Sequence, residues 1–193
     1  MELAVRRSAI QVILSEHHRL TSIVSGMLRV VDDMASGSGL SSAMLMRAML
    51  YYINEFPEQV HHPKEEQYLF ARLRARTGEF GAVTWELARQ HEEGKLRVQA
   101  LERALTRYEL AGTDMLPALR DSVYGYADFY AGHRHLEESV ILPGAQRHLT
   151  VSDWMEIDEA FGANRDPFES LETEDNLNDL YRLIVQTMPE AQA

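Results

Sequence analysis

The stretch LPALRDSVYGYADFYAGHRHLEESV, residues 116–140, places Leu116, Leu119, Val123, Tyr126, Tyr130, His133, Glu137 and Val140 at alternating steps of 3 and 4. That spacing is the period of a helix with one inward face, not the alternation of a strand. The face is apolar except for His133 and Glu137, which are one helical turn apart and point the same way. Two upstream stretches share the period. One carries Ile10, Ile13, His17, Leu20, Val24, Met27, Val31 and Met34; the other carries Leu87, His91, Gly94, Val98, Leu101, Leu105 and Tyr108. Between them, residues 40–76 begin a stripe with Met46, Met49, Ile53 and Phe56, and then meet Pro57 and Pro63. A proline inside a helix removes a hydrogen bond, so a kink is expected there.

Breaks at Ser36–Gly39, Thr77–Gly78 and Ala111–Thr113 divide the first 150 residues into these four pieces. The fold expected is all-α: an up-down-up-down antiparallel four-helix bundle over 1–150, with a C-terminal helical extension over 151–193. The extension contains a short helix over 150–161 and an amphipathic stretch at Leu177, Leu180, Tyr181, Ile184, Val185 and Met188. That stretch could pack on the bundle or form a homodimer.

Composition narrows the function. Nineteen Lys and Arg stand against 30 Asp and Glu, a net charge of −11, which disfavours a nucleic-acid or anionic membrane partner. No cysteine is present, which excludes disulfides, thiolate nucleophiles and cysteine-ligated metals. No run approaches the roughly 20 apolar residues of a membrane span, and Arg6, Arg7 and Glu16 interrupt any secretory leader, so a cytoplasmic location is expected.

The eight histidines then carry the argument. A single histidine on an apolar stripe is usually a satisfied core residue. Here His17, His91 and His133 each fall on a stripe, and the remaining helix holds the pair His61 and His62. At about 1.5 Å per residue their heights agree within the uncertainty of helix ends. Helix 2 offers two doublets, His61 with Glu65 and His62 with Glu66. Helical phase favours the second. The repeat between HHPKEEQYLF (61–70) and HRHLEESVIL (133–142) selects the first, because a one-residue slip in helix 4 would pair Glu138 with Arg134. Buried carboxylates among imidazoles suggest a metal. The candidate ligands are His17, His61, Glu65, His91, His133 and Glu137; no catalytic residue is singled out. His62, Glu66 and Glu138 are expected beside the ligands, His18, His135 and His148 near the surface, and Tyr130 in the core or against the centre.

The segments Glu16-His17, HHPKEEQYLF (61–70), Gln90-His91-Glu92 and HRHLEE (133–138) followed by Ile-Leu-Pro143 resemble the hemerythrin-like, HHE cation-binding, family over about residues 10–150. The resemblance implies two non-haem iron ions bridged by the two carboxylates, with manganese or zinc also suited to such ligands. The oxygen-carrying members have a second histidine on helix 3. Here the positions four before and four after His91 are Leu87 and Lys95. Four His and two Glu leave coordination positions open, where O2, NO or peroxide could bind. The expectation is a gas- or peroxide-binding or sensing protein rather than a dedicated enzyme, with peroxidase-like or NO-related activity as its enzymatic variant. The absence of cysteine disfavours the iron–sulfur repair branch. Two alternatives are a ferritin-like iron oxidase or store, for which only Glu58-Gln-Val-His61 fits, and a helical interaction module without metal chemistry.

Overall fold

The computed structural model describes residues 8–34 and 39–164, which are helical and contain no strand. Helix α1 is Ala9–Met34. The second rod begins as Gly39–Glu55, continues through Pro57–His61, His62–Lys64 and Glu65–Phe70, and ends with Ala71–Arg76; the whole rod is α2. Helix α3 is Gly81–Ala111. The fourth rod, α4, joins Leu116–Leu136, Glu137–Ile141 and Leu142–His148. Helix α5, Val151–Gly162, follows. The stretch 177–188 lies outside the described residues, and with it the surface expected for a homodimer.

Local chemistry sets the breaks. Thr77 is extended and stops α2. Gly112, at φ +78°, closes α3 in a backbone conformation that favours glycine. Thr150 caps α5 reciprocally: its backbone N–H donates to Asp153 Oδ2 at 2.8 Å, and its hydroxyl accepts from the Asp153 N–H at 3.3 Å.

Each of α1 to α4 packs against two neighbours in the cyclic order α1, α2, α3, α4. Two apolar clusters fill the interior. The larger joins Leu20–Met34 of α1 to Ala43–Phe56 of α2, Val98–Tyr108 of α3 and Leu119–Tyr130 of α4. The smaller joins Ala9 and Ile13 to Leu69–Leu73, Phe80 and Leu87, Ile141–Leu149, and Ile157 and Phe161 of α5. Met27, Met34, Met46 and Met49 are fully enclosed, as adaptable filler should be, whereas Met44 is exposed. Between the two clusters lies a buried polar layer containing Glu16, His17, Glu58, His61, His62, Glu65, His91, His133 and Glu137.

The expected kink in α2 takes a particular form. Instead of bending at a missing bond, the backbone widens. The His61 N–H donates to the Phe56 carbonyl at 3.2 Å, and the His62 N–H donates to the Pro57 carbonyl, each five residues back. Such π-turns absorb extra residues and reset the helical phase. A second π-turn starts at Glu65, and a third, in α4, starts at Glu137 just before Pro143. Counting 3.6 residues per turn through residues 57–70 therefore misassigns the inward face. With the π-turns, His61, His62 and Glu65 all point inward at 2%, 6% and 0% exposure. Glu66 is half-buried.

Helix α5 lies across α1 and the end of α2. Arg76 grips Asp153 through two bonds of 2.8 and 2.9 Å, Arg72 pairs with Glu156, and the Ala9 N–H donates to Asp158 Oδ1 at 2.7 Å.

Candidate metal centre

Four imidazoles and two carboxylates meet in the polar layer. His17 of α1 and His61 of α2 form one pair, with ring centroids 5.1 Å apart; His91 of α3 and His133 of α4 form the other, at 4.9 Å. Each glutamate divides its oxygens between the pairs. Glu65 Oε1 is 3.3 Å from His61 Nε2 and 3.8 Å from His17 Nε2, while Oε2 is 3.6 Å from His91 Nε2. Glu137 does the reverse: Oε2 is 3.3 Å from His17 Nε2, and Oε1 is 3.3 Å from His133 Nε2 and 3.6 Å from His91 Nε2. The six side chains expected to act as ligands are therefore all brought together.

The atoms facing the centre have nothing else to bond. His61, His91 and His133 Nε2 and both oxygens of Glu65 and of Glu137 are buried with no hydrogen-bond partner among the described residues. Orphaned polar atoms on this scale cost too much to be structural filler. Imidazole nitrogen and carboxylate oxygen are what a divalent transition metal takes, so the residues fit a cation.

The outer nitrogens are satisfied in a ring. Glu16 of α1 accepts from His61 Nδ1 of α2 at 2.6 Å. Glu66 of α2 accepts from His91 Nδ1 of α3 at 2.7 Å. Gln90 of α3 accepts from His133 Nδ1 of α4 at 3.1 Å. Glu138 of α4 accepts from His17 Nδ1 of α1 at 3.0 Å. Each bond fixes the tautomer that leaves Nε2 free towards the centre and raises the basicity of that nitrogen. Glu16 and Gln90 directly precede His17 and His91, and Glu66 and Glu138 directly follow Glu65 and Glu137. A residue next to a ligand is turned about one third of a helical circle away, towards the neighbouring rod. Glu66 and Glu138 thus stand beside the candidate ligands, against His91 and His17. Sequence reasoning gave Glu16 and Gln90 no role, although their position before a stripe histidine was the signal.

Proton affinities follow from this crowding. Burial alone would lower the His61 pKa, but the carboxylates of Glu65 and Glu16 hold it well above the usual imidazole range. His91 is pushed up to about 9 against the same burial by Glu137, Glu66 and Glu65. Burial favours the neutral acid at Glu137, yet His133, His17 and His91 hold its pKa well below the usual carboxylate range. A cation bound at these atoms would compete with protons for the same nitrogens and oxygens.

His62 also lies in the layer. Its donor atom is within 4.8 Å of those of Glu65, His91 and His133, while Nδ1 lies 3.3 Å from Glu58 Oε2. Glu58 fits because of Gly94: a Cβ there would come within 3.2 Å of Glu58 Oε1. Gly94 therefore makes room for a buried acid, and Glu58 stands against His62 rather than in the ligand group. Beside His62 a pocket of about 430 Å3 opens between Glu66, Arg74, Glu92 and Lys95. The Tyr130 hydroxyl donates to the His17 carbonyl at 3.1 Å, touching the backbone of a candidate ligand rather than the centre. His18 and His135 are exposed, and His148 lies 3.4 Å from Glu79 at the far end of the bundle.

The model of the Hemerythrin HHE cation binding domain matches residues 8–145, which is most of the chain. The chain belongs to the hemerythrin HHE cation-binding family. Three curated relatives, one from Mycobacterium bovis and two from strains of Mycobacterium tuberculosis, are each 25% identical over 124 residues. All three are described only as uncharacterized proteins. The match covers 63% of this chain and 47% of each relative, so the chain spans about half the length of the relatives it matches. No solved structure matches. For this hemerythrin-like chain the cation-binding description agrees with the buried His and Glu cluster. No described helix is long and apolar enough to cross a membrane.

Proposed function

We propose that this hemerythrin-like chain holds two non-haem iron ions and binds or senses O2, NO or peroxide. The supporting observation is the division of oxygens by Glu65 and Glu137, each presenting one oxygen to each histidine pair. Two such carboxylates define two positions rather than one. His17 and His61 would hold the first ion and His91 and His133 the second, with Glu65 and Glu137 shared between them. In this reading the rods form an up-down-up-down bundle over 1–150, followed by the extension 151–193. Bound iron would supply redox and ligand-binding chemistry. The chain's own residues hold the imidazole tautomers through Glu16, Glu66, Gln90 and Glu138, and exclude water with the two apolar clusters.

The test is to purify the protein from iron-supplied cells, count metal, and record absorption spectra before and after O2, NO and peroxide. Two irons per chain, with a spectrum that changes on exposure to at least one of these, is the expected result. No bound metal after anaerobic reconstitution refutes the proposal. An iron-loaded spectrum unmoved by all three reagents refutes the ligand-binding part and leaves a structural cation. Sustained turnover of Fe(II) with O2 would favour the ferritin-like alternative.

A further inference from the structure

A line of polar contacts leads from α5 into the centre. Asn164, two residues beyond the end of α5, is buried, and its Nδ2 donates to Glu16 Oε1 at 2.8 Å. The other oxygen of Glu16 accepts from His61 Nδ1 at 2.6 Å, and His61 Nε2 faces Glu65 Oε1 at 3.3 Å. The same Asn164 is held from below. Lys64, three residues after His61, bonds Asn164 Oδ1 and donates to the Ala160 carbonyl at 2.8 Å. Phe161 of α5 meets the His61 ring edge-on at 6.2 Å. Among the groups backing the four histidines, Glu66 is 40% and Glu138 29% exposed at the side chain, whereas Glu16 is 3%. Water can help orient the first two. Glu16 lies out of its reach, and a buried carboxylate needs fixed donors.

We infer that Asn164 is a positioning residue for the His17/His61 metal position, acting through Glu16, so that the segment after the bundle sets how firmly one of the two metals is held. This rests on the di-iron reading above. The physical argument is one of orientation. A carboxylate has two oxygens and can swing about its terminal bond. With Oε1 held by the Asn164 amide, Oε2 is fixed on His61 Nδ1, which fixes the imidazole plane and the direction of Nε2. Groups that orient a metal-binding histidine in this way change metal affinity by roughly 10–100-fold when lost.

Asn164→Asp separates positioning from docking. Asp keeps the size and still accepts from Lys64, so α5 stays seated, but it offers no N–H to Glu16 and faces it with a like charge. The experiment uses the full iron-loaded chain in a Trp85→Phe background, so that Trp154 on α5 alone reports docking by its emission. Iron release to a chelator is followed over time for the parent, Asn164→Asp and Glu16→Gln, with circular dichroism confirming the fold. The expected result is that about half of the iron leaves roughly ten-fold faster in both variants, with Trp154 emission unchanged. If Asn164→Asp releases iron as the parent does, or sheds both irons equally with a shift in Trp154 emission, the inference is overturned while the di-iron reading stands. A parent that holds no iron overturns that reading and this inference with it. If Asn164→Asp fails to fold, Glu16→Gln decides alone: slow release of both irons from it overturns the inference.

Discussion

Glu65→Gln tests which carboxylate of the adjacent pair belongs to the centre. The substitution keeps the volume but removes the shared negative charge and puts an amide NH2, which cannot ligate, in place of one of the two oxygens, where Glu65 now lies 3.3 Å from His61 and 3.6 Å from His91. Loss of a group that merely orients a ligand costs roughly 10–100-fold in metal affinity, so loss of a shared ligand costs at least about 100-fold, or about 2.7 kcal/mol. Stability linked to a bound ion falls by the same amount when the ion is in excess. For a chain of this size each kcal/mol moves Tm by about 2–4 °C. The iron-induced rise in Tm should therefore shrink by about 5–11 °C. The assay is thermal unfolding with and without iron, together with an iron count. Reading only the difference cancels any change in the metal-free protein. Glu66→Gln is the control, because Glu66 touches only the outer nitrogen of His91 and is 40% exposed at its side chain. It should weaken the His91/His133 position alone. If Glu66→Gln abolishes iron binding while Glu65→Gln retains two irons, the assignment is wrong.

Three further outcomes are expected. Gly144→Ala would place a Cβ 2.6 Å from Phe80 Cζ, an overpacking worth about 1–3 kcal/mol; the urea midpoint should drop, and an unchanged midpoint would show that Phe80 moves aside freely. Tyr130→Phe removes one buried bond to the His17 carbonyl, which keeps its 2.7 Å bond from Thr21, so stability should fall by about 0.5–1.5 kcal/mol with the iron count unchanged. The Arg76 guanidinium holds the Asp153 carboxyl well below its ordinary 3.8, with the Thr150 cap helping and burial opposing. A depressed acid stabilises the folded state in full above its unfolded value, and the contribution is lost as pH falls through the lower folded value. Trp154 emission in the Trp85→Phe protein should thus report α5 loosening below about pH 4; detachment at pH 5–6 would contradict this.

Much of the bundle was legible because its stripes are regular. The faces expected for α1, α3 and α4 are buried, from Ile13 to Met34, Leu87 to Tyr108 and Leu119 to Glu137. Helix α2 was harder because its period changes at Pro57 and again at Glu65, and a pattern count assumes a constant one. There the internal repeat was a better guide than phase: HHPKEE and HRHLEE superpose because each rod opens into a π-turn at the same glutamate. In the sequence Glu58 stands out only as part of Glu58-Gln-Val-His61; its place next to His62 was not legible, since its burial depends on the bare Cα of Gly94 on another rod. The contact of Asn164 with Glu16 was equally hard to foresee, as the two are 148 residues apart.

The ring of outer contacts explains why the motif consists of doublets. A ligand histidine needs its second nitrogen held, and the holder must come from a neighbouring rod because the histidine's own rod faces the same way. In a four-rod ring, the residue adjacent to each ligand already points to that neighbour. Glu16-His17 on α1 and Gln90-His91 on α3 serve the histidines of α2 and α4; Glu65-Glu66 on α2 and Glu137-Glu138 on α4 serve those of α3 and α1. One short motif per rod therefore supplies both a candidate ligand and an orienting group, and the arrangement repeats after two rods. Gln90 is the exception to carboxylate backing, and its surroundings account for it. Its amide Nε2 donates to Glu86 at 2.8 Å while its Oε1 receives from His133, a double duty that a carboxylate could not perform. His133 consequently has a neutral partner where the other three have anionic ones. Neutral hydrogen bonds are roughly half as strong as charge-assisted ones, so in the proposed di-iron reading the two metal positions would be inequivalent. The His17/His61 pair has anionic backing on both histidines and Phe161 of α5 against His61; the His91/His133 pair has it on one and lies on the side of the His62 pocket.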